Sequence, residues 1–368
     1  MDMGDTQRKT GLERKTGLAG DIAANYLATM AVILLGLWVY TRDSNFLLNE
    51  FNIRVGFERR DEAVTIGTAD VLVAVGAVYT VILLPYYALR PGFVCDARRV
   101  FVYVREWASK RARPDFGFEE RRAALTLVLK LYFIPLMLGY FVNNIHEVVR
   151  HWNDFVTLEA AAAYAVALNT TFYLLILAVL YLVDVVIFAV GYMVELRSRD
   201  NEIKSVDPTA LGWACCLVCY PPFNQVGFAF FSWQQVDATD FATPAISAVL
   251  AWTSIAAIAI YAWASVALGL RASNLTNRGI VSGGPYRFVR HPAYAMKNLA
   301  AWIAALPALA DALARSWPLA LWILACVILW TLIYVLRALT EERHLLMLDN
   351  GYAEYKMQVR HRFVPGLI

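Results

Sequence analysis

Long, uninterrupted apolar blocks constrain this chain more than any other feature. Eight can be marked, over Leu18–Tyr40, Ile66–Leu89, Ala124–Val142, Leu158–Val194, Leu211–Trp233, Pro244–Leu270, Ala293–Leu313 and Trp317–Leu339. Each has at least 19 residues, and about 20 carry a helix across a ~30 Å hydrocarbon core. Inside lipid the backbone must satisfy its own donors and acceptors, which leaves helices or closed barrels. Barrel strands are shorter and alternate apolar with polar residues, which these blocks do not. The expected fold is an all-α, polytopic membrane bundle of about eight transmembrane helices. Composition agrees: apolar residues are 59% of the 368 and charged residues 17%, against roughly 45–50% and 25% in soluble domains. That balance, with a net charge of only +3, excludes a disordered chain, a collagen-like chain and a generic nucleic-acid binder. Five cysteines in such a length do not make a disulfide framework.

Basic residues set the expected orientation. With both termini on the cytoplasmic side, 25 of the 33 Lys and Arg residues fall in cytoplasmic segments and 6 on the opposite side, while Lys130 and Lys297 lie inside spans. This is the positive-inside bias of an even number of spans. The polar first 17 residues, with Arg8, Lys9, Arg14 and Lys15, lead into a first span expected to be retained rather than cleaved as a signal peptide.

No internal repeat is visible. Two regions are expected: residues 1–240, with five spans and long basic connections, and residues 241–368, with three spans and a compact, motif-rich loop. The 37-residue fourth block is about 55 Å of helix at 1.5 Å per residue, so strong tilt or a cytoplasmic projection is expected. It contains Asp184, and a carboxylate within a span is a functional-site hypothesis by default; the alternative is a neutral group tying helices together. The fifth block contains Pro221-Pro222, which removes two backbone donors and breaks or kinks the helix. Cys215, Cys216 and Cys219 have metal-like spacing, but without nearby histidine they read as packing, and His146, Glu147 and His151 have poor ligand geometry on one helix. No metal site is expected.

Two clusters carry chemistry. The loop after the sixth span runs Gly279-Ile280-Val281-Ser282-Gly283-Gly284-Pro285-Tyr286-Arg287-Phe288-Val289-Arg290-His291-Pro292-Ala293-Tyr294. Its Gly-Gly-Pro turn permits close backbone approach, and Pro292 fits the first turn of a helix whose N-terminus, beside Arg290 and His291, suits an anion. The last span ends in Arg337, followed by Glu341-Glu342-Arg343 and then Gly351-Tyr352-Ala353-Glu354-Tyr355. If the last two spans fold as a hairpin, cations and paired carboxylates reach one face. That complement suits a zwitterionic amino acid moiety, with aromatic faces for a sulfonium.

These motifs resemble the isoprenylcysteine carboxyl methyltransferase family and its membrane phospholipid methyltransferase relatives, over about the last 95 residues from Asn274. The resemblance implies S-adenosylmethionine bound at the cytoplasmic side of the last helices and a lipophilic acceptor entering from the bilayer. It implies that Ile280, Val281 and Tyr286 line the cofactor pocket with Arg290, that His291, Pro292 and Tyr294 form its floor, that Glu341 or Glu342 binds the cofactor amino group, and that Arg337 lies near the acceptor. Met296 stands where relatives often have glycine; with Lys297 and Asn298 it falls at the expected substrate pocket, to which Asp184 is a further candidate. A carboxylate or thiolate acceptor needs only a steering cation such as Arg337, whereas an amine or phenol needs a proton sink, for which His291, Glu341 and Asp184 are the sequence candidates. The extra N-terminal spans point to a different acceptor or to homo-oligomerisation. The competing expectations are an NADPH-dependent sterol-type reductase, which needs a second phosphate-reading cluster, and a non-enzymatic transporter or scaffold, which predicts internal pseudosymmetry.

Overall fold

The computed structural model describes residues 17–42, 54–59, 62–109, 116–157, 168–225 and 244–367. The expected boundary near residue 240 lies outside them. Six helices in this set are long and apolar enough to cross a membrane, over residues 18–40, 68–88, 118–156, 170–193, 245–271 and 317–345.

The chain divides into two compact units, Met1–Asn52 with Ile66–Pro135, and Ile53–Thr65 with Leu136–Ile368. The first contains α1 (Leu18–Tyr40), α2 (Thr68–Ala88) and α3 (Asp96–Ala108), with the start of α4 (Phe118–Val156). A short hairpin of β1 (Arg54–Arg59) and β2 (Glu62–Gly67) precedes α2. Asn25, buried on α1, donates to the Phe93 carbonyl at 2.6 Å and accepts from Cys95 N–H at 3.2 Å, while Arg98 pairs with Asp21 at 2.9 Å. Polar residues in an apolar helix are thus used to fix the adjoining loop.

The second unit holds the motif-rich region. Its elements are α5 (Tyr173–Met193), β3 (Ser205–Val206), α6 (Ala210–Leu217), α7 (Pro244–Leu268), β4 (Thr276–Asn277), α8 (Pro292–Arg315), α9 (Trp317–Leu345) and α10 (Tyr352–Gln358). α5 packs on α7, α7 on α8, and α8 on α9. Only Ser316 separates α8 from α9, so the two form the expected hairpin. Its seam is built from Ala305, Ala312, Ala320, Ile323, Cys326 and Val327. Small side chains let helix backbones approach where lipid supplies no hydrophobic drive. Trp302 Nε1 adds a hydrogen bond to Thr331 Oγ1 at 3.0 Å across the seam.

Two of the eight expected spans are not among the six. In the fifth block, α6 ends after 8 residues, and turns run through the cis Pro221-Pro222 bond. Prolines without N–H groups stop the helix there, and residues 226–243 lie outside the described set. α8 is a full 24-residue helix, but Lys297, Asn298, Asp311 and Arg315 dilute its apolar character. The first ten residues of the fourth block also lie outside the described set; the described part runs from a π-helical turn, Leu168–Phe172, into α5.

Two devices fix the site end of this unit. β3 and β4 pair antiparallel, with Ser205 opposite Asn277. Gly191 on α5 faces the turn after α7, where a Cβ would sit 2.1 Å from the Ala272 carbonyl oxygen. Only glycine admits that approach.

Candidate functional site

The segment from Gly279 to His291 is held by backbone geometry. Gly284, at φ +58°, opens a short 3-10 turn over Gly284–Arg287, and Pro292 occupies the first turn of α8 as expected from its missing N–H. The C-terminal tail returns alongside. Arg290 N–H donates to the His361 carbonyl and His291 N–H to the Arg362 carbonyl, each at 2.9 Å. Tyr355 O–H donates to the Tyr286 carbonyl at 2.7 Å. Burial pushes the Tyr355 hydroxyl above the usual phenol range, which keeps it protonated as the donor.

The hairpin brings the two charged clusters into direct contact. Glu342 Oε1 accepts from Arg290 Nε at 2.9 Å, His291 Nε2 lies 3.2 Å from it and Arg362 Nε 3.0 Å. Lys356 Nζ lies 4.0 Å from Glu342 Oε2. Arg290 Nη1 is taken by the Val359 and Arg360 carbonyls at 2.8 and 2.6 Å. The sequence set Arg290 and Glu342 against opposite poles of one ligand; here they are bonded to each other, and Arg290 is spent on holding the tail. The reason is geometric: a helical hairpin places the start of α8 beside the end of α9, where opposite charges meet.

Glu341 is placed differently. Its side chain is 42% exposed and accepts from Tyr294 O–H at 2.7 Å, with His291 Nδ1 3.9 Å away. Tyr294 stacks on the His291 ring at 5.3 Å between centroids. Tyr294, Glu341 and Arg337 line a small cleft of about 30 Å³, shared with Asn274, Cys216 and His344 among others. That is space on the scale of a water molecule.

Arg337 is only 6% exposed. Its guanidinium carbon lies 5.0 Å from the Tyr294 ring centroid, 5.4 Å from Tyr334 and 6.0 Å from Tyr220. Nη2 donates to Asn274 Oδ1 at 3.0 Å, and Cys216 Sγ lies 3.9 Å away. Asn274 is itself held by Tyr192 and Tyr220 hydroxyls at 2.8 and 3.1 Å. No carboxylate among the described residues pairs with Arg337. A buried cation held by aromatic faces and an amide oxygen retains charge for an anionic partner.

The remaining sequence candidates lie elsewhere. Ile280 and Tyr286 pack on Tyr352, Tyr355 and Val359, and Val281 is half-buried in the same loop. None of the three lines the cleft, nor does Pro292, whose place is the first turn of α8. Asp184 is buried and accepts from the Tyr261 and Ser265 hydroxyls of α7. Lys297 Nζ lies 4.3 Å from the centroid of the same Tyr261 ring. These two therefore share a partner, apart from the residues that line the cleft. Asn298 donates to the Tyr294 carbonyl at 2.9 Å, a within-helix bond that places it beneath the site. His151 pairs with Glu147 at 3.2 Å on its own helix. Asn274, Arg362, Tyr220 and His344 carried no motif signal in the sequence. His344 alone had one available, since Arg337, Glu341 and His344 recur at helical spacing.

Residues 241–350 match the phospholipid methyltransferase family model. No curated protein and no solved structure matches the chain. The phospholipid methyltransferase match covers α7, the motif loop and the α8–α9 hairpin, and so contains Tyr294, Arg337, Glu341 and His344. With its apolar helices, the chain is a multi-pass membrane protein whose C-terminal third carries a methyltransferase family's pattern.

Proposed function

We propose that the protein is an integral-membrane, S-adenosylmethionine-dependent methyltransferase acting on a lipophilic acceptor, with its site on the cytoplasmic side. The observation that carries this reading is the pairing, in one cleft of the matched region, of an accessible carboxylate, Glu341, with a buried guanidinium, Arg337, that has no carboxylate partner among the described residues. The fit to the donor is chemical. Glu341 suits the ammonium of its amino acid moiety, and the Tyr294 face suits a cation. When bound, the sulfonium supplies an activated methyl group for in-line displacement.

The chain's own residues align the reactants and exclude water. Tyr294 orients Glu341 by its hydrogen bond and is itself held by stacking on His291. The Arg290–Glu342–Arg362 cluster acts behind them, closing the loop and tail over the end of the hairpin. Arg337, held by Asn274, steers an anionic portion of the acceptor toward the cleft. Incubation of purified protein and membrane lipids with isotopically labelled S-adenosylmethionine, followed by mass spectrometry of the lipid extract, tests the reading. A labelled lipid product is expected; the absence of both label transfer and donor binding by calorimetry would overturn the reading.

A further inference from the structure

A buried histidine lines the cleft and has no part in the scheme above. His344 is 2% exposed and sits one turn beyond Glu341, on the helix face that also presents Arg337. Its Nε2 lies 2.9 Å from Ser205 Oγ. Ser205 cannot drift, because β3 is laddered to β4 opposite Asn277. Nδ1 has no hydrogen-bond partner among the described residues and is not among the enclosed, unsatisfied atoms. A histidine kept only for packing has no need of an open nitrogen beside a cleft.

The proton sinks suggested by sequence are less well placed. His291 Nε2 is turned to Glu342, Asp184 holds two hydroxyls of α7 and does not line the cleft, and Glu341 already accepts from Tyr294. The titratable and charged groups that share the cleft with His344 are Asp207, whose Oδ1 is engaged by Thr209 N–H and Oγ1 at 2.8 and 2.6 Å, Glu341 and Arg337 on its own helix, Tyr294 of α8 and Cys216 of α6. Asp207 and Glu341 favour a protonated imidazole and Arg337 opposes it.

We propose that His344 is the proton acceptor for methylation of an acceptor whose reacting atom bears hydrogen, an amine N–H or a hydroxyl O–H, and that Ser205 is its positioning residue. The proposal rests on the methyltransferase reading and narrows its acceptor class. In the tautomer whose Nε2–H donates to Ser205, Nδ1 keeps its lone pair facing the reaction. The acceptor's lone pair forms the bond to the methyl carbon. The carbon–sulfur bond of the sulfonium donor breaks, and its electron pair stays on sulfur. The acceptor's proton passes to His344 Nδ1 and then to bulk water.

The test uses the full chain in nanodiscs with labelled S-adenosylmethionine and two acceptor sets: lipids bearing amine or hydroxyl groups, and lipophilic carboxylates or thiols. Wild type is expected to methylate the first set. His344→Gln, which keeps a donor toward Ser205 but accepts no proton, should lower turnover about 100-fold, flatten the acid limb of the pH profile, and leave affinity for the demethylated donor product within about threefold, as a group acting on the proton rather than on donor binding. Ser205→Ala should shift the ring 15N signals of His344 toward the other tautomer in the protein without donor. Methylation confined to carboxylates or thiols, or a His344→Gln variant with wild-type turnover and pH profile, would overturn the assignment while leaving the methyltransferase reading intact. Failure of wild type to bind any donor would remove both.

Discussion

Arg290 Nε donates to Glu342 Oε1 at 2.9 Å across 52 residues of chain, and each side chain is only 4% exposed. This ion pair closes the end of the α8–α9 hairpin and places the motif loop against the C-terminal tail. Its role is therefore architectural before it is ligand-binding.

Removing Glu342 leaves Arg290 buried without its carboxylate. Glu342→Ala strands the Arg290 guanidinium, and breaking a buried pair costs about 3–5 kcal/mol. A large loss of thermal stability in detergent is expected. The Arg290→Met/Glu342→Met double variant should recover a substantial part of it, because the buried guanidinium goes with its carboxylate and the Arg362 that remains is partly exposed to solvent. A Glu342→Ala protein as stable as wild type would contradict the hub role.

Glu341 should behave in the opposite way. It is accessible and has one close hydrogen bond, from Tyr294. Glu341→Gln is expected to leave the melting temperature nearly unchanged and to weaken donor affinity at least about tenfold, the order of one charge-assisted bond. Calorimetric titration with the donor checks both the size and the split from stability.

Arg337→Lys should not substitute for arginine. A lysine keeps the charge but loses the planar group lying among Tyr294, Tyr334 and Tyr220 and the fork that reaches Asn274. Turnover is expected to fall about 100-fold, the scale of a misplaced steering group, with donor affinity within about threefold. Steady-state kinetics with the labelled donor separates the two.

Gly191→Ala tests the packing that supports the site. The new Cβ would lie 2.1 Å from the Ala272 carbonyl, and a backbone atom cannot rotate away. A loss of about 1–3 kcal/mol is expected from overpacking. The shift would also move Asn274, two residues on, and so lower turnover together with the melting temperature.

The helical, membrane-spanning character of the chain was legible because lipid imposes a length and an apolar content that can be read block by block. The hairpin was legible too, since Pro292 starts a helix and Arg337, Glu341 and Glu342 lie at the end of another, and so was the meeting of cations and carboxylates at its open end. Tertiary structure decided how those charges are used. Glu341 and Glu342 are neighbours in sequence, yet adjacent helical positions point about 100° apart, so one faces the cleft and the other is locked into Arg290, His291 and Arg362. The partners of Arg337 and His344, Asn274 and Ser205, come from segments 63 and 139 residues distant. Helical periodicity reports which side chains share a face, but which segment meets that face depends on how the loops return, and that is fixed by packing such as Gly191 against Ala272 and the two-residue β3–β4 ladder.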